Sequence, residues 1–128
     1  MTAEQYIDDV NQLCHRHRID LRIIPGCRPE AYPIPRIVHA LPIVTGKEYC
    51  ETLHEIGHVV LRHAYEHNPA LPREYKEIMA WRWAFNHSAE WTQEMSDFKA
   101  WALKCWGITD PSRARATQIL FDTMLPRV

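Results

Sequence analysis

The sequence predicts an α+β fold: a small N-terminal antiparallel sheet with an edge strand beside a central helix, followed by three further helices. Three observations lead there. Two short β-prone runs near the start are separated by a proline-rich stretch. From residue 47 onward apolar residues recur at the helical spacing of three to four. Proline and glycine then fall where such helices would start and stop.

Thr2 and Gln5 have the spacing of a capping box, and Tyr6, Val10, Leu13 and His17 share one helical face, which gives a helix over residues 3–17. Residues 21–24 form a β-prone run closed by the turn pair Pro25 and Gly26. Residues 27–36 hold Pro29, Pro33 and Pro35 and read as irregular. Residues 37–44 are a second extended run, and Pro42 within it favours an edge position, because proline donates nothing to a ladder.

The central helix begins at Lys47 and runs to about Tyr65, with Leu53, Ile56, Val60 and Ala64 at the helical period and Asn68 and Pro69 ending it. Pro72 suits an early position of the next helix, which continues to about Asn86. A third helix over residues 89–106 carries the apolar stripe Trp91, Met95, Phe98, Ala102 and Cys105, with Gly107 as its C-terminal cap. Asp110 and Pro111 read as N-cap and first residue of a last helix ending near Met124.

A chain of 128 residues is one domain, 1–128, large enough for a core without staples. Hydrophobic residues at 46% and charged residues at 24% fit a soluble globular protein, and a formal charge of −1 offers no basic field, so no direct contact with nucleic acid is expected. No run approaches the roughly 18 apolar residues of a membrane span, and the start MTAEQYIDDV is acidic where a secretion signal is basic. Cys14, Cys27, Cys50 and Cys105 are widely spaced with no CxxC pair, as in a reduced compartment. A cytoplasmic location without membrane contact follows as the expectation.

Histidine is the outlier, with eight copies. Residues 54–58 read HEIGH. Histidines four apart on a helix lie on one face about one turn from each other, so both imidazoles can reach the same cation. A glutamate directly after the first ligand stands beside the open coordination position, where it can take a proton from water. His54 and His58 are therefore candidate ligands of one zinc ion, Zn2+, and Glu55 a candidate catalytic base. The plainer alternative is a solvated helix face that happens to carry two histidines. Catalytic zinc takes a third protein ligand. Glu77 is the choice, because it shares a face with Ala80, Trp81 and Ala84, whose small alanines allow close approach to the central helix; Glu74, one turn earlier, is the substitute.

HEIGH together with EIMAWRWA at residues 77–84 resembles the ImmA/IrrE family of zinc metallopeptidases, whose pattern pairs HExGH with a downstream ExxAxx(aromatic)A. ALKCWGIT at residues 102–109 is weakly similar to that family's next helix and turn. The resemblance implies a zincin-like domain in which His54, His58 and Glu77 hold zinc and Glu55 is the base. It also implies a protein substrate, a helix-turn-helix repressor of a mobile element or stress response. Cys50, Glu51, Thr52 and Leu53 depart from the family's usual aromatic-Thr-Leu-Ala run before the motif, and the chain has no room for the DNA-binding domain often attached.

Other residues are set against ordinary structural roles. Cys50 lies on the ligand face, although a buried apolar thiol is the simpler account. His63 and His67 rotate away from that face on a continuous helix and read as surface residues. His39 and His87 are candidate polarisers of a scissile carbonyl, with structural roles as the default. Gly57 permits a strand or substrate to approach the helix, and the five tryptophans are taken as core. The run 36–42 reads as an exposed edge beside the cleft, open to an extended substrate segment. Two competing functions remain: a zinc-stabilised antirepressor that binds its partner without cleaving it, and a DNA-binding helix-turn-helix over residues 100–120.

Overall fold

The computed structural model describes residues 1–63 and 72–108. The chain order is α1 (Ala3–Arg16), β1 (Asp20–Ile23), β2 (Glu30–Tyr32), β3 (Ile37–Ala40), α2 (Gly46–Val60), α3 (Arg73–His87) and α4 (Gln93–Cys105), an α+β arrangement. The helix expected over residues 110–124, the Asn68–Pro69 turn and most of the helix-turn-helix expected over residues 100–120 lie outside the described residues.

The sheet has the order β1-β3-β2. β2 and β3 pair antiparallel, but β1 and β3 pair parallel, so the expectation of a wholly antiparallel sheet is corrected. The cause is the stretch 27–36: read as irregular, it supplies β2, whose extra reversal returns the chain along the direction of β1. The same topology places β3 in the centre. Pro42 lies beyond the strand's end at Ala40, so its missing N–H is outside the ladder and never forces an edge. Among the described residues the open edges belong to β1 and β2.

Alternation along β3 buries Val38 and Ala40 completely. His39 points to the other face, where its ring meets Tyr32 edge-on at 5.0 Å. α2 covers the buried face and also packs on α1, α3, α4 and β2, which makes it the centre of the molecule. Its start is fixed by a capping box between Thr45 and Glu48. Tyr49, Cys50, Leu53, Ile56 and Val59 are inaccessible to solvent. The Tyr49 hydroxyl donates to Asp9 of α1 and accepts the Ala89 N–H at 2.9 Å, so one buried side chain fastens α1 and the α3–α4 connection to α2.

α2 and α3 approach closely because position 57 has no side chain. A Cβ there would lie 2.9 Å from the Ala80 carbonyl oxygen. The neighbour that Gly57 admits is therefore α3, rather than a strand or substrate.

α2 also ends sooner than the expected Tyr65. Leu61 is the C-cap, and Arg62 takes the left-handed conformation at φ 57. The Arg62 N–H then bonds the Val59 carbonyl, and the His63 N–H bonds the His58 carbonyl, each at 3.0 Å. These two bonds make a Schellman cap. Among the described residues no helix is long and apolar enough to cross a membrane.

Candidate metal centre

α2 presents His54 and His58 one turn apart, with ring centroids separated by 4.6 Å. The close approach at Gly57 carries Glu77 of α3 onto the same spot. Glu77 Oε2 is 2.8 Å from His54 Nε2, and Oε1 is 3.2 Å from His58 Nε2. One ligand atom from each residue lies within 4.8 Å of the others, so His54, His58 and Glu77 are positioned to bind a metal ion. Glu74 is not in this cluster, which favours the first of the two glutamates weighed from sequence.

Two imidazole nitrogens and a carboxylate suit a borderline divalent cation. Bonds of about 2.1 Å in a tetrahedral site space ligand atoms about 3.4 Å apart. The His58 Nε2–Glu77 Oε1 separation of 3.2 Å is close to this, and the His54 Nε2–Glu77 Oε2 contact of 2.8 Å, to the other carboxylate oxygen, has to open by about 0.6 Å. The donors therefore fit such an ion.

Electrostatics point the same way. His54 and Glu77 are each only 7% exposed. Burial opposes a charge on His54, but its hydrogen bonds to Glu55 and Glu77 outweigh that and raise its pKa to about 9. Burial likewise opposes the Glu77 carboxylate, yet hydrogen bonds from His54 and His58 hold its pKa well below the usual carboxylate range. The site thus favours positive charge between these carboxylates, as a proton or as a metal ion.

Glu55 faces the same space, with Oε1 3.4 Å from His54 Nδ1. The four residues line an open cleft of about 1020 Å³, also bordered by β2 residues Glu30 and Ala31, by Arg28 and Pro33 beside them, and by Trp101 and Trp106.

Two side chains at the site were not read from sequence as part of it. Trp81, expected to pack on the central helix as a core residue, is fully buried and stacks on the His54 ring with centroids 4.3 Å apart and planes 15° apart. Its signal was available, since it lies one helical turn after Glu77. His63, expected at the surface, is 7% exposed, and its Nδ1 is 2.8 Å from His58 Nδ1. The cap after Val60 folds it back onto the ligand, which a continuous helix would not do. Burial, reinforced by the neighbouring His58 and Lys76, pushes its pKa down to about 3 and keeps it neutral.

Neither candidate polariser reaches the centre. His39 is on the opposite face of the sheet, and His87 stacks on Trp83 at 4.3 Å with its Nδ1 2.8 Å from the Trp83 carbonyl oxygen. Cys50 is a core residue, as the simpler account had it: its sulfur donates to the Lys47 carbonyl at 3.3 Å, and burial pushes the thiol up to about 12. His67 lies outside the described residues.

Fold and site together define an α+β protein with a two-histidine, one-glutamate centre positioned for a metal ion. No family model, curated protein or solved structure matches the chain.

Proposed function

We propose that this chain is a zinc-dependent endopeptidase in which His54, His58 and Glu77 hold the ion and Glu55 is the base. The observation that carries the reading is the convergence of three ligand atoms within 4.8 Å on the wall of an open cleft, with a second carboxylate, that of Glu55, beside them. Zinc supplies Lewis acidity and a coordination position left free for water and a carbonyl. The Glu55 carboxylate takes the proton from attacking water and delivers it to the departing amine nitrogen. Trp81 holds the His54 ring in plane and keeps solvent from its far side. The resemblance of HEIGH and EIMAWRWA to ImmA/IrrE metallopeptidases supports the same roles and suggests a transcriptional repressor as substrate. A cytoplasmic setting accords with the four free thiols.

A second reading, a zinc-stabilised module that captures a partner without cleaving it, is favoured by one contact. Glu55 lies near His54 Nδ1 and so also serves to orient a ligand. Metal analysis combined with an assay on an unfolded protein such as casein separates the two. The expected result is one zinc per chain in the wild type and in Glu55→Gln, with hydrolysis by Glu55→Gln lower by about two orders of magnitude or more. Glu77→Ala should lose the metal while Glu74→Ala keeps it. Equal cleavage by wild type and Glu55→Gln would sink the mechanism, and a metal lost only with Glu74 would sink the ligand set.

A further inference from the structure

We propose that His63 is a positioning residue for the metal centre: by accepting a hydrogen bond from His58 Nδ1–H it fixes the tautomer in which His58 Nε2 offers its lone pair to the ion. The inference rests on the metal-site reading and adds a residue that the HExxH spacing does not contain.

The 2.8 Å separation of the two Nδ1 atoms accommodates a single proton between them. His58 Nε2 faces Glu77 Oε1 at 3.2 Å, on the side of the cluster, and must be unprotonated to bind a cation there. With the ion bound in place of the proton that Nε2 otherwise shares with Glu77, the neutral imidazole carries its proton on Nδ1, so His58 donates and His63 accepts. His63 keeps a proton on Nε2, and that nitrogen is buried with no hydrogen-bond partner among the described residues.

The arrangement is built by the end of α2. The Schellman cap brings residue 63 beside residue 58 through the backbone bond from the His63 N–H to the His58 carbonyl. It requires Arg62 at φ 57, a left-handed conformation that is unfavourable for a non-glycine residue. An apolar side chain would fill the same space without leaving a buried nitrogen unpaired. The backbone strain and the orphaned nitrogen both find a reason if the imidazole acts on His58. Partners that orient metal-ligating histidines typically change metal affinity 10–100-fold when removed.

Two variants separate orientation from space filling. His63→Asn places a carbonyl oxygen where Nδ1 stood and can still accept the proton, whereas His63→Phe fills the volume and accepts nothing. Zinc dissociation constants are measured by competition with a chromophoric chelator, without reference to hydrolysis. Asn should bind within about threefold of wild type, and Phe about 10–100-fold more weakly. Phe binding as tightly as wild type, or both variants weakening equally, would overturn the proposal. Imidazole nitrogen shifts of zinc-loaded wild type give a reading independent of variant folding: His58 must show a protonated Nδ1, and a protonated Nε2 overturns the assignment. A wild type that binds no zinc refutes the metal-site reading itself. Tight wild-type binding with no Asn–Phe difference refutes only the role of His63.

Discussion

Gly57 and Ala80 face each other across the α2–α3 contact, where a Cβ on Gly57 would stand 2.9 Å from the Ala80 carbonyl oxygen and 3.3 Å from its Cα. Both atoms belong to backbone and cannot swing aside. The metal centre depends on this contact, because Ala80 lies one turn beyond Glu77 on the helix that delivers it.

Gly57→Ala is therefore expected to reverse the usual sign of a glycine replacement within a helix. Helix propensity alone favours alanine by about 1 kcal/mol. Overpacking between two helix backbones costs about 1–3 kcal/mol, and α3 has to retreat. The expected outcome is a lower melting temperature together with at least about tenfold weaker zinc binding, since Glu77 moves with α3. A more stable variant with unchanged affinity would show that the helices part without disturbing the site.

Much of this was legible in the sequence because it depends on local periodicity. The HEIGH spacing fixes two ligands on one helical face, and Glu77, Ala80 and Ala84 mark the side of α3 that faces α2. The missed features depend on chain reversals. β2 is three residues bounded by Pro29 and Pro33, too short and too proline-rich to announce itself, and missing it misplaced β3 at the edge. The early stop of α2 turns on Arg62 in a left-handed conformation, which nothing in an arginine signals, and with it went the burial of His63. His39 keeps the structural role that was its default, because the burial of Val38 and Ala40 sends it to the far face.

The charge balance at the centre predicts how metal binding varies with pH. His54 has a pKa raised from 6.5 to about 9 by Glu55 and Glu77 against the opposing effect of burial, so a proton occupies the ligand through neutral pH in the metal-free protein. Its stabilising contribution is complete below about 6.5 and is lost as pH rises through about 9. Glu77, with its pKa lowered from 4.5, contributes above about 4.5 and loses that contribution as pH falls. Zinc has to displace the His54 proton, so its affinity should climb roughly tenfold per pH unit between pH 7 and 9 and then level off. An unperturbed histidine would give a plateau from about pH 6.5. Chelator competition across this range decides it, and a flat affinity between pH 7.5 and 8.5 would refute the protonated pair.

The last prediction concerns how an extended substrate segment is held, and it rests on the peptidase reading. The run 36–42 cannot accept a further strand, because β3 within it is already paired on both sides. β2 can. It lies at the sheet's edge, and Glu30 and Ala31 line the cleft that contains the metal ligands. Glu30 opposes His39, and Ala31 opposes Val38, in the antiparallel pairing with β3. Adjacent residues of such a strand send their N–H groups to opposite sides, one into the ladder and one to the free edge. Glu30→Pro and Ala31→Pro therefore remove one donor of each kind, and amide exchange on the wild type identifies the ladder-bound N–H as the slower. Loss of the ladder donor should lower stability by about 1–3 kcal/mol. The other variant should fold, keep its zinc and cleave an extended peptide with kcat/KM reduced about tenfold or more, the equivalent of about 1.4 kcal/mol of lost backbone pairing. Val38→Pro serves as the control, since a proline in the central strand should disrupt the sheet outright. If the variant lacking the outward donor is folded, zinc-loaded and as fast as wild type, strand addition at β2 must be abandoned.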